Sequence, residues 1–167
     1  MKGQDVVVLS ALLGMADSQR TLPSLSEALH LSVATVHRSA KRLQSAGLLD
    51  MDRNVRLAQA DEFFAHALQY LFPPHFGGES RGVPTAWAAP PLRDELTTAG
   101  GPPPVWPHSE GGSRGIALDP LHDVVPDLAS RDAELYERLA LVDALRIGDA
   151  RIRNLALDEL RRRYRAR

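Results

Sequence analysis

The sequence predicts a mainly α-helical protein in three parts: a compact helical head over 1–72, an irregular middle over 73–128 and a helical hairpin over 129–167. Two observations predict this division. Eleven of the twelve prolines lie between Pro73 and Pro126, and eight of the twelve glycines between Gly77 and Gly115. The flanks are almost free of proline and place their apolar residues at helical spacing. Proline lacks an amide donor and fixes φ, and glycine weakens regular elements, so the middle is expected to be mostly irregular.

In the head, Gln4–Met15 carries Val7, Leu9, Leu12, Leu13 and Met15 beside Val6, Val8 and Ala11. That density suits a helix buried on much of its circumference. Asp17–Thr21 is a polar break. Pro23-Ser24 opens a short helix over Ser24–Leu29, and His30 sits at the turn. Ser32 is placed to cap the next helix, Val33–Ala46, by accepting from its free amides. Gly47 is a left-handed terminator for it. Leu48–Met51 and Val55–Ala58, around Asp52-Arg53-Asn54, predict a small β-hairpin. Asp61 is expected to cap a helix running to Tyr70 or Leu71, which Pro73-Pro74 ends.

In the tail, Leu135, Leu139, Val142 and Leu145 form one helical stripe, and Ile152, Leu155, Ala156, Leu160 and Tyr164 a second. Gly148 separates them and Asp149 is a cap for the second. The leucine stripe needs a cover, which makes the tail and the middle the expected dimer or partner surfaces.

The chain has 167 residues, 44% apolar and 25% charged, and no cysteine. That excludes disulfides, thiolate metal sites and cysteine nucleophiles. The longest early aliphatic run, Val6–Leu9, is far below the roughly 20 residues of a membrane span. Met1-Lys2-Gly3 leads into an amphipathic segment rather than a secretory leader. The expectation is a cytoplasmic protein with no membrane association.

Net charge is −1 but uneven. Residues 61–130 carry three bases and nine acids, whereas 32–56 carry five bases and two acids. Any nucleic-acid surface must therefore be local. On a helical wheel, Val33, Val36, Ala40 and Leu43 share one face of the Val33–Ala46 helix. Ala34, Thr35, Arg38, Lys41, Arg42 and Ser45 fall on the other, with His37 at its border. Small residues near the amino end let a helix sink into the major groove. Ser32 and Thr35 sit where free amides favour anions. Arg38 suits a bidentate contact to guanine, and Lys41 and Arg42 suit phosphates. Arg53, Asn54 and Arg56 on the hairpin are placed for the backbone or the neighbouring minor groove. The candidate DNA-binding set is thus Ser32, Ala34, Thr35, His37, Arg38, Lys41, Arg42, Arg53, Asn54 and Arg56.

The segment Ser24–Leu49, SLSEALHLSVATVHRSAKRLQSAGLL, resembles the winged helix-turn-helix of bacterial transcription regulators such as the MarR and IclR groups. Leu25, Glu27-Ala28-Leu29, Leu31-Ser32, Thr35-Val36, Arg38, Lys41-Arg42-Leu43 and Ala46-Gly47-Leu48-Leu49 carry the resemblance. His30 stands where many relatives have glycine. The resemblance implies a sequence-specific regulator of duplex DNA, a repressor by promoter occlusion, working as a homodimer with two such helices about 34 Å apart. The alternative is an antitoxin-like protein that holds a toxin-like partner through 73–167 and represses its own operon; the resemblance there is architectural.

Other signals carry less. The six histidines show no HExxH spacing, and His75 with Glu79 or His108 with Glu110 would need folding to become ligands. No nucleophile elbow or phosphate loop occurs, and Gly111–Gly115 reads as a turn. No catalysis, cofactor or metal is expected. Pro102–Pro107 reads as an extended polyproline strap anchored by Trp106, and Arg81–Pro91 as a similar one anchored by Trp87. Arg161–Arg167 reads as cations favoured at a helix carboxyl end, with phosphate or acidic-partner contact as the alternative.

Overall fold

Helix α1 (Gly3–Gly14) is apolar all round, and Val6, Val7, Val8 and Leu9 are completely buried. A helix of that kind belongs in the middle of a core. The computed structural model, which describes residues 1–96 and 101–165, places it there. Around it lie a 3₁₀ turn (Asp17–Gln19), α2 (Leu22–Leu29) and α3 (Val33–Ser45). Thr21 caps α2 by accepting from the Ser24 amide, with Pro23 in the first turn, so α2 starts two residues earlier than the sequence suggests.

Next come α4 (Leu57–Glu62), a π-helical turn (Phe63–Ala67) and α5 (Leu68–Leu71), which abut as one rod. Asp61 is not its cap. The rod begins four residues before Asp61, whose carboxylate instead accepts from Arg161 of the carboxyl-terminal helix at 2.7 and 2.6 Å and from the Tyr164 hydroxyl at 2.5 Å.

The middle is more ordered than its composition suggests. It holds three strands, β1 (Phe76–Pro84), β2 (Pro104–Pro107) and β3 (Ser113–Leu118). β1 runs antiparallel to both others, and β2 and β3 pair in parallel, so the three close on one another. The prolines survive because they sit at strand ends: Pro84 closes β1, and Pro104 and Pro107 bound β2. Gly82 is needed where β1 meets β2, since a Cβ there would lie 2.1 Å from the Trp106 carbonyl oxygen. A 3₁₀ turn (Ala86–Ala88), α6 (Leu92–Glu95) and α7 (Val125–Leu128) complete the segment.

α8 (Ala133–Ile147) and α9 (Ala150–Arg165) pack together, joined at Gly148-Asp149, as the hairpin reading expects. Asp132 caps α8 and Asp149 caps α9. The leucine stripe, however, is not waiting for a partner. Leu135, Leu139, Ala140, Leu141, Val142 and Ala144 are buried against α1, α5, α7, α9 and the Ala86–Ala88 turn. One apolar core runs from Val6 to Tyr164 through all three segments.

Two buried polar contacts fix α8. Arg138 donates to the Ser10 carbonyl of α1 at 3.0 Å. Gly14 leaves room for it, since a Cβ there would fall 2.2 Å from Arg138 Nη2. Asp143 accepts from Arg146 Nη1 at 2.6 Å, Trp106 Nε1 at 2.6 Å and the Thr85 hydroxyl at 2.9 Å. Burial pushes the Asp143 carboxyl up, and its contacts with Arg146, Thr85 and Trp106 oppose that. Trp106 is thus the buried anchor the polyproline segment called for, and it meets Tyr136 edge-on at 5.9 Å. Trp87 is half-buried. No helix among the described residues is long and apolar enough to cross a membrane.

Candidate nucleic-acid interface

α2 and α3 are joined by three residues, His30, Leu31 and Ser32. His30 takes the left-handed conformation at φ 51°, where its amide bonds to Glu27 O and the Leu31 amide reaches back to Ser26 O. Histidine therefore fills the position that glycine fills most easily. Ser32 caps α3 by accepting from the Thr35 amide at 3.2 Å. At the other end Gly47, at φ 75°, closes the helix, with Gly47 N bonded to Gln44 O and Leu48 N to Leu43 O.

Val36, Ser39, Ala40 and Leu43 of α3 are buried against α1 and α2. Val33, expected on that face, is 46% exposed. Outward lie Ala34, His37, Arg38, Lys41 and Ser45, with Thr35 half-exposed. Ser32, Thr35 and Arg38 form a hydrogen-bonded chain along this face: Ser32 Oγ to Thr35 Oγ1 at 2.9 Å, and Arg38 Nη2 to the same oxygen at 3.2 Å. The Lys41 amine and the His37 ring have no side-chain partner among the described residues. The described residues of the proline-rich middle leave this face exposed.

Arg42 is placed differently from the rest. It turns inward, donating from Nε and Nη2 to the fully buried Asp5 at 2.8 and 2.6 Å. Burial works to raise the Asp5 carboxyl, but hydrogen bonds from Arg42, the Lys2 amide and Ser39 hold it below the usual range. Arg42 therefore positions α3 on α1, and its guanidinium is not presented with Arg38 and Lys41.

The expected hairpin reduces to one antiparallel bridge, Leu49 with Val55. Its tip is organised by Asp50, whose carboxylate accepts from the Asn54 side chain and from the amides of Asn54 and Asp52. The Asn54 contacts foremost hold the Asp50 carboxyl below the usual range. Arg53, at φ 68°, points its Nε to the Arg20 carbonyl at 2.8 Å. Arg20 in turn donates to the Asn54 side-chain oxygen at 3.0 Å. Arg53 and Asn54 thus serve the turn, and Arg56 is exposed beside it. The stretch after Val55 is not extended, since Leu57 already begins α4.

Sequence reasoning missed Asp5 and Arg20. Both stood in plain view as single charges, one inside an aliphatic run and one in a polar break, but neither pairing is local. The tail arginines are engaged within the chain: Arg161 with Asp61, Arg162 with Glu159, and Arg163 with Glu137 and Glu159. Ala166 and Arg167 lie outside the described residues. His108 meets Asp127 at 3.0 Å, and no cluster of three or more metal-ligating side chains occurs among the described residues.

Comparison of the chain with protein-family models, curated proteins and solved structures finds no match.

Proposed function

We propose that the chain is a winged helix-turn-helix regulator that binds duplex DNA sequence-specifically through α3 and represses transcription by occluding a promoter. The observation that carries this is the outward face of α3. A capped amino end, small Ala34 and Thr35, and the exposed cations Arg38 and Lys41 lie on one uncovered strip. A helix with small residues in front and bases behind suits the major groove. Arg38, steadied by Thr35, reads a base edge, and Lys41 meets a phosphate. The single-bridge turn at 50–54 is a short wing, and exposed Arg56 is its remaining cation.

One such helix reads few base pairs, so a homodimer belongs to this proposal. Its surface is not the leucine stripe, which is covered. The large exposed apolar side chains Tyr70, Leu71 and Phe76, 77%, 57% and 54% exposed, are where a second copy docks.

The test is binding of the purified protein to its own upstream DNA and to a scrambled duplex over a salt series. Tighter binding to the upstream DNA, with affinity falling as salt rises, is the expected result. Equal, weak binding to both duplexes would remove sequence-specific regulation.

A further inference from the structure

Arg131 lies at the junction of α7 and α8, yet its side chain is seated on the head. Its Nη1 donates to Nε2 of the His30 ring at 2.6 Å, across 101 positions of sequence. Its backbone is fixed, with the amide bonded to Leu128 O at 3.1 Å. His30 presents the ring from a left-handed backbone, φ 51° and ψ 35°, a conformation that glycine adopts without steric cost and other residues do not. Two exposed side chains, one from the head and one from the far part of the chain, thus meet beside the first turn of α3.

The contact leaves the cation without an acid. Arg138, Arg146, Arg161, Arg162 and Arg163 each meet a carboxylate of the chain. Arg131 has none within ion-pair distance among the described residues, and its Nε and Nη2 edge bears no hydrogen bond to them. The acids nearest to it in sequence are engaged elsewhere: Asp127 meets His108 at 3.0 Å, and Asp132 accepts from the Leu135 amide at 2.9 Å. The open edge of a guanidinium offers two parallel donors to a phosphate.

We propose that Arg131, held by His30, contacts a backbone phosphate of the duplex, a contact that rests on the reading of α3 above and carries its interface beyond the head. With its side chains a helix is about 10–12 Å across, and the major groove is about 12 Å wide, so α3 fills it and the residues flanking its first turn face the phosphates of the groove wall. His30, two residues before the Ser32 cap, and the guanidinium on its ring stand at that flank. Lys41 stands about 12 Å beyond Val33 along the helix axis. Cations thus bracket Ala34, Thr35 and Arg38 at both ends, and contacts of this kind fix register without reading sequence.

The test is fluorescence anisotropy of the full chain on its upstream duplex and on a scrambled one over a salt series, with urea unfolding of each variant. Arg131→Gln weakens both duplexes by the same factor, about fivefold to tenfold at about 0.1 M salt, and lowers the salt slope by about one unit, the loss of one phosphate contact. His30→Gly, which keeps the left-handed turn and the Arg131 charge, weakens both duplexes by a smaller factor. A slope unchanged by Arg131→Gln overturns the contact, whatever the urea midpoint does, and leaves the reading of α3 standing. A loss confined to the upstream duplex overturns it as well, since a phosphate contact is blind to sequence. Unchanged affinity in His30→Gly overturns the holding role of His30. Equal binding of the unaltered chain to both duplexes, with the slope still lowered by Arg131→Gln, removes sequence-specific reading and leaves the phosphate contact in place. Failure of the unaltered chain to bind either duplex overturns both.

Discussion

Arg42 and Asp5 form a two-pronged ion pair across 37 positions of sequence, with the acid entirely inside α1 and the base on the flank of α3. The pair sets how α3 sits on the core. Replacing Arg42 with Met leaves a buried carboxylate alone and is expected to cost about 3 kcal/mol of stability, the lower end for breaking such a pair. Lys41→Ala, one position away, leaves stability unchanged. Urea unfolding of the two variants separates positioning from surface charge.

Acid acts through the same contact. Asp5 and Asp50 both have folded carboxyls held below the ordinary value of 3.8. A group depressed in this way stabilises the fold above its unfolded pKa, and that stabilisation is lost as pH falls through the folded value. The urea midpoint is therefore expected to hold steady from neutral pH to about 5 and to drop below about 4. Asp5→Asn lowers stability at neutral pH and flattens the acid slope.

Arg38 and Lys41 are expected to fail differently on DNA. Arg38→Ala costs about 1–3 kcal/mol on the preferred duplex and relaxes discrimination at one base pair. Lys41→Ala weakens all duplexes alike and reduces the salt slope by about one unit. Fluorescence anisotropy over a salt series reads both. Equal losses on every sequence for both variants remove the base contact of Arg38.

The Asp143 network predicts a strong coupling. Asp143→Leu leaves Arg146 buried without its carboxylate and is expected to cost about 3–5 kcal/mol. Adding Arg146→Met recovers part of that loss by removing the buried cation, while Trp106 Nε1 and the Thr85 hydroxyl stay without their acceptor. A double-mutant cycle by urea unfolding measures the coupling.

Leu71→Glu places a charge among exposed apolar side chains without entering the core. It is expected to turn a dimer into a monomer by light scattering and to weaken binding to a two-site duplex, with an unchanged urea midpoint.

How much of this was legible follows from how local each cause is. The caps at Ser32 and Asp149 and the stop at Gly47 were legible, because each depends on residues within one turn. The strip bearing Arg38 and Lys41 was legible from helical periodicity. The strands of the middle were not, since Pro84, Pro104 and Pro107 read as breakers until the sheet shows them at strand ends. Arg42 fell on the polar side of the wheel, and nothing within one turn names Asp5 as its partner. The leucine stripe of α8 pointed correctly to a need for cover, but which surface supplies it is a property of the whole chain. Arg20 was hidden for the same reason.

The place of α8 has a consequence for how the protein comes into being. One side of α1, where Arg138 reaches the Ser10 carbonyl and fills the space beside Gly14, is covered by residues the ribosome adds after position 132. The amino-terminal head therefore lacks part of its platform during most of its synthesis. A message cut short before α8 yields a chain whose first helix lacks part of its lining, and such a fragment is expected to be cleared by proteases rather than to persist.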